Sequence, residues 1–193
     1  MVDVRVTRTR NLVLTDAREL LAERGATAVT YSELSRRTGA TRQTLYRHWP
    51  TISDLLVDAL NTGPPVAHPA STGNVRADII GFLASLRRGL DEPATASGLV
   101  ALISSAEHDE SAAATLRTLA VEHLKALNAL LGGTMQVTAT EFTRLAGPVL
   151  FRRLLQRAEV TDRDIVDTVD AFLAVPQPSP TGLEEMVDII RIG

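Results

Sequence analysis

Between Thr41 and Trp49 the chain sets Arg42, Gln43, Thr44, Tyr46 and His48 around two apolar residues, Leu45 and Trp49. Leu45 and Trp49 lie four apart, so a helix would turn both inward and leave the polar side chains outward or to the sides. The chemistry that this set supports is recognition rather than bond making. An arginine can fork onto guanine and a glutamine onto adenine, which makes Arg42 and Gln43 candidates for reading base edges. The hydroxyls of Thr44 and Tyr46 and the imidazole of His48 suit phosphate oxygens, which place a protein on a duplex without reading it. Tyr31 and Ser32 open the preceding segment, where a helix N-terminus could help them clamp a neighbouring phosphate. Burying one face while offering the other to a groove is what a recognition helix must do.

The elements that would position this face are legible on either side of it. Asn11 to Arg24 carries Val13, Leu14, Ala17, Leu20 and Leu21 at helical spacing, and Gly25 supplies a stop. Thr30-Tyr31-Ser32-Glu33 has the form of a capping box, and the helix it opens closes at Gly39. Thr41 suits the N-cap of the third helix, which Pro50 ends, and a fourth is expected from about Ser53 to Leu60. The run from Asn61 to Gly73, with three prolines and two glycines, reads as a linker. Beyond it, amphipathic segments are expected at Val75 to Leu90, Pro93 to Glu107, Glu110 to Leu131, Ala139 to Ala158 and Asp162 to Val175. Pro93, the Thr138 to Glu141 capping box and Thr161 mark starts, Pro148 should bend its helix, and a short segment, Leu183 to Ile190, follows the proline-rich tail. No strand-like alternation appears. The expected class is all-α: a three-helix helix-turn-helix domain over residues 1–60 joined to a larger helical domain over 74–193.

The bulk numbers agree with this division. Residues 1–60 hold nine arginines against seven acids, whereas the remainder holds eleven bases against sixteen acids, so an overall charge of −3 hides a positive front. No apolar run approaches the roughly 20 residues of a membrane span, and MVDVRVTRTR lacks the apolar core of a secretory signal; a cytoplasmic location is expected. There is no cysteine, no phosphate-cradling glycine loop and no recognisable nucleophile arrangement, so no enzyme and no cofactor is expected. His108 among Glu107, Asp109 and Glu110, and His123 beside Glu122, lack the spacing of a metal motif. His68 falls in the linker. Arg87-Arg88 and Arg152-Arg153 read as solvated or interface charges, and Arg5, Arg8 and Arg10 as an arm that either touches DNA or is disordered. A helical protein-interaction module with a degenerate helix-turn-helix is the alternative reading.

Residues 10–56 resemble the DNA-binding domain of the TetR (tetracycline-repressor) family of transcriptional regulators. Ala17, Leu20, Leu21, Gly25, Thr30, Leu34 and Gly39, the run TLYRHW from Thr44 to Trp49, and Leu55 carry the resemblance. It implies that Tyr46 and His48 contact phosphates and that positions 42 to 44 approach bases. Three positions depart from the family pattern: Asp16 and Ser35 stand where alanine is usual, and Ile52 where a phosphate-binding lysine is usual. The resemblance further implies a homodimer on double-stranded DNA, a repressor released from a palindromic operator by a small hydrophobic effector. Its expected pocket lies among Phe82, Leu86, Leu99, Leu102, Ile103, Leu119, Leu127 and Phe142, although plain core is the first reading of each. Gly147 to Leu173 resembles the last two helices of the family, with Val149, Leu150, Leu154, Ile165, Val169 and Phe172 as the expected dimer surface or, alternatively, intramolecular core.

Overall fold

Capping side chains fix where the helices begin, and the computed structural model follows them closely. It describes residues 4–63 and 69–175, with side chains from residue 7 onward. His68, the Arg5 side chain and the segment Leu183 to Ile190 lie outside the described residues. Nine α-helices and no strand occur among the described residues: α1 (Val4–Arg24), α2 (Tyr31–Thr38), α3 (Arg42–His48), α4 (Ile52–Asn61), α5 (Val75–Asp91), α6 (Pro93–Ser105), α7 (Glu110–Leu131), α8 (Ala139–Leu150) and α9 (Asp162–Ala174). The Thr41, Thr138 and Thr161 hydroxyls each accept from the amide three residues on, at 3.2, 3.3 and 3.2 Å. Each such cap contributes about 1 kcal/mol.

Three expectations are corrected. Helix α1 starts at Val4 rather than Asn11, so the arm is helical, and Arg10 pairs with Asp58 at 2.6 Å. At α2 only half of the expected capping box forms: Thr30 accepts from the Glu33 amide, but the Glu33 carboxylate turns to Arg36 at 2.7 Å, a charged partner in place of an amide. The segment from Ala139 does not run to Ala158 as one helix. Pro148 has no amide to give, the chain widens into a π turn over Phe151–Leu155, and Arg157 at φ 55° turns it away.

Two clusters of buried side chains hold the molecule together. The first gathers Val13, Leu14, Ala17, Leu20, Leu21, Leu34, Leu45, Trp49, Leu55 and Leu56 from α1 to α4, and it also takes Ala94 and Leu102 from α6 and Ala112 from α7. The second gathers α5, α7, α8 and α9 around Phe82, Leu127, Phe142, Leu145, Val149, Ile165 and Val169. The packing therefore crosses the linker. Arg18 on α1 donates to the Ala59 carbonyl of α4 at 3.0 Å and to Glu92 at 2.9 Å, and Glu92 in turn caps α6 through the Thr95 amide. At the other end of α4, the Ser53 hydroxyl holds the Asp109 carboxyl below its usual range, ahead of the α7 amides that Asp109 caps. Gly98 of α6 lets α4 approach closely, since a β-carbon there would stand 2.7 Å from Leu60.

Candidate nucleic-acid interface

The recognition element is built from α2 and α3 joined by a glycine turn. Gly39 takes φ 72°, a left-handed conformation that a β-carbon disfavours, and its amide closes α2 on the Ser35 carbonyl at 3.0 Å. Leu45 and Trp49, at 1% and 2% exposure, sink into the first cluster. Arg42, Gln43, Tyr46 and Ser32 are exposed, while Thr44 and His48 are half-buried on the flank. The spacing argument is thus realised for the polar face, which the structure brings together on one surface with the α2 N-terminus.

What locks α3 in place was not visible in the spacing. The Trp49 indole donates to Asp58 at 2.7 Å, and Asp58 also receives Arg10 at 2.6 Å. Tyr31 donates its hydroxyl to the Trp49 carbonyl at 2.7 Å, and its ring lies 4.2 Å from that of Tyr46. Burial pushes the Tyr31 phenol up, with the Tyr46 and Asp54 oxygens adding to it, so the proton stays on. Tyr31 therefore serves as a strut between α2 and α3, its proton committed to the chain itself. Asp58 is the residue that sequence reasoning missed; the available signal was that a buried indole N–H needs an acceptor. Ser32 and Tyr46 remain outward. Thr41 caps α3 and shares a 2.9 Å hydrogen bond with the Thr44 hydroxyl.

Beside this surface lies an ion cluster. Arg36 hydrogen bonds first, then the charges of Arg36, Arg24 and Arg37, hold the Glu33 carboxyl at about 2 against the opposing effect of burial. Arg37 also reaches Glu19 and Glu23, at 3.7 and 3.1 Å, and the unusual Asp16 adds its charge to the same guanidinium. A depressed carboxyl stabilises the fold fully above its ordinary value of 4.5, and that contribution disappears as pH falls towards 2. In acid titrations of stability, Glu33→Gln is therefore expected to flatten the wild-type fall across that window; an unchanged slope would remove Glu33 from the account.

The other expected site residues are placed differently. Phe82, Leu127 and Phe142 sit in the second cluster with Leu86 and Leu99 against it, but Leu102 belongs to the first cluster and Ile103 is 47% exposed. Leu119 is half-buried, and Leu102 and Ile103 lie apart from the second cluster. Of the expected dimer surface, Val149, Leu154, Ile165, Val169 and Phe172 are buried within the single chain, at 8% exposure or less, and only Leu150 is half-buried. Their periodicity marks the face that α8 and α9 turn to α5. No cluster of three metal-ligating side chains occurs among the described residues, and no described helix is long and apolar enough to cross a membrane.

Known proteins bear on this geometry. Residues 13–59 match the family model described as bacterial regulatory proteins, tetR family, over α1 to α4. The crystal structure of the TetR family transcription regulator SCO0332 superposes with a TM-score of 0.63 at 26% identity, over 88% of this chain and 99% of that one. Together these likenesses support a transcriptional regulator of the TetR family. Across nearly its whole length it is 27% identical to the HTH-type transcriptional regulator YdeS of Bacillus subtilis, over 90% of this chain and 92% of that protein. It is also 33% identical to the HTH-type transcriptional regulator AqdR of Rhodococcus erythropolis, over 47% of this chain and 44% of that one. The likenesses support a DNA-binding regulator, and the family model covers the α2–α3 unit together with most of α1 and α4, which hold it.

Proposed function

We propose that this TetR-family chain is a homodimeric, cytoplasmic repressor that leaves a palindromic operator when a small hydrophobic effector binds. The observation that carries the DNA-binding part is the exposed polar face of α3, presented by a buried Leu45–Trp49 seam and braced by Tyr31 and Asp58. Arg42 and Gln43 read bases; Ser32, Thr41, Thr44, Tyr46 and His48 anchor the backbone, and Tyr31 steadies Tyr46. Two such helices reach successive major grooves when held about 34 Å apart, so an effector acts by favouring a different spacing. Supporting this is the seat of α4, held at both ends by α6 and α7 of the 74–193 unit, through which a change there reaches the 1–60 unit. Duplexes from upstream of the protein's own gene should give a salt-sensitive, sequence-selective complex; its absence would refute the proposal.

Two substitutions divide the roles. Arg42→Ala should relax base preference at one position of each half-site, whereas Tyr46→Phe should weaken every sequence by the same factor; competition binding on a panel of single-base operator variants separates them, and the reverse pattern overturns the assignment. Ile52 opens α4 half-buried against the first cluster, with no charge to offer a phosphate. Ile52→Lys should steepen the dependence of log affinity on log salt by about one unit. A slope unchanged within error would show that this position lies away from the backbone.

A further inference from the structure

We propose that Arg47 is a second base-reading residue, directed at guanine, and that with Gln43 it faces the floor of the groove. The inference rests on the DNA-binding reading above and deepens it. The first observation is which arginines are free to bind anything. Of the eight arginines from Arg8 to Arg47 with described side chains, Arg10, Arg18, Arg24, Arg36 and Arg37 each have a carboxylate within 3.4 Å. Arg8, Arg42 and Arg47 have none among the described residues. Among the described arginine side chains of this unit, two of the three without a carboxylate partner therefore stand on the seven-residue helix α3.

The second observation is direction. A helix turns about 100° per residue, so Gln43 and Arg47, four apart, point together roughly 160° from the mean direction of Leu45 and Trp49. Both are exposed, as that phase requires. Thr44 and His48 lie to one side of this pole and Tyr46, 51% exposed, to the other, where groove walls and phosphates would be met. Arg42 is closer in phase to the buried face and reaches outward from the first turn. The pole itself is left to an amide and a guanidinium.

The chemistry then selects the base. A guanidinium keeps its charge at any working pH and presents two parallel N–H donors, matching O6 and N7 on the major-groove edge of guanine. Four residues advance about 6 Å along the helix, close to two base steps of about 3.4 Å, so Gln43 and Arg47 would read different base pairs of one half-site.

The test is selection from duplexes with randomised half-sites, using the full-length protein and its Arg47→Ala and Arg47→Lys variants at two salt concentrations. The wild type should enrich guanine at one position per half-site beyond those read by Arg42 and Gln43. Arg47→Ala should collapse that preference by about tenfold to a hundredfold while leaving the other positions unchanged. Arg47→Lys should keep the wild-type salt slope and still lose most of the guanine preference, because a single ammonium cannot fork. If Arg47→Ala instead weakens all sequences equally, with a salt slope shallower by about one unit, Arg47 is a phosphate anchor and the assignment is overturned. A wild type that selects no sequence at all would overturn the DNA-binding reading itself, and this one with it.

Discussion

Trp49→Ala is expected to lower the unfolding free energy by about 3–5 kcal/mol, the usual cost of emptying a buried aromatic site. Against the roughly 5–15 kcal/mol that holds a typical domain, that is a large fraction. The cost has three sources. The indole fills a site at 2% exposure in the first cluster, so its removal leaves a cavity in that cluster. Asp58 loses the 2.7 Å indole hydrogen bond and keeps only Arg10. The end of α3 then loses its fixed place, and with it the carbonyl that accepts from Tyr31 at 2.7 Å. Trp49→Phe separates these terms, since it keeps most of the volume and removes only the donor; a loss of about 1–2 kcal/mol is expected. Denaturant titration followed by circular dichroism measures both, and an alanine variant within about 1 kcal/mol of wild type would show that the seam is not what holds α3. Because Trp49 is the only tryptophan, its fluorescence in the wild type reports on this element alone. DNA binding should fall more steeply than stability, since the reading face is carried on the same seven residues.

How far the sequence foretold this arrangement depends on whether a feature is local. Thr41, Thr138, Thr161 and Pro93 act within one helical turn, and each stands where its helix begins. The α3 face was legible for the same reason, because Leu45 and Trp49 alone decide which way its polar groups point. Features that depend on a distant partner were not. Glu33 is an intermediate case: Arg36 and Arg37 stand within a turn of it and compete with the cap locally, and only Arg24 is brought in from another helix. Asp58 carries no signal of its own in the sequence, and its role is set only where Arg10 and Trp49 converge on it. Val149, Ile165 and Val169 have the periodicity of a buried face, but periodicity cannot tell whether the covering surface is the same chain or another copy. In the single chain they are covered by the chain itself, which leaves the proposed dimer only the side chains outside.

Those outside side chains lead to the second expectation, that Phe151→Ser with Leu155→Glu converts the dimer to a monomer and lowers operator affinity by at least two orders of magnitude. The π turn after Pro148 leaves Phe151 52% and Leu155 67% exposed, a large apolar outlay for a surface in water. Between the turn and α9 runs a groove of about 760 Å³, lined by Arg144 and Arg152 and by Asp164 and Asp167, with Pro148 and Ala171 among its apolar walls. Both signs of charge on one surface suit a two-fold contact, in which each residue meets its counterpart from the other copy. Within the single chain Arg152 lies 3.2 Å from Asp164, and Arg144 stands 5.4 Å above the Phe172 ring. A two-fold axis applies every substitution twice, and each new carboxylate would be buried without a partner. The single chain should hardly notice, because both residues are exposed within it and surface changes usually cost about 0.5 kcal/mol or less. Sedimentation velocity should therefore show a folded monomer, and the monomer should retain the base preferences of one half-site while losing the roughly hundredfold or greater gain from tethering two. A double variant that still sediments as a dimer would place the interface on another face of the molecule.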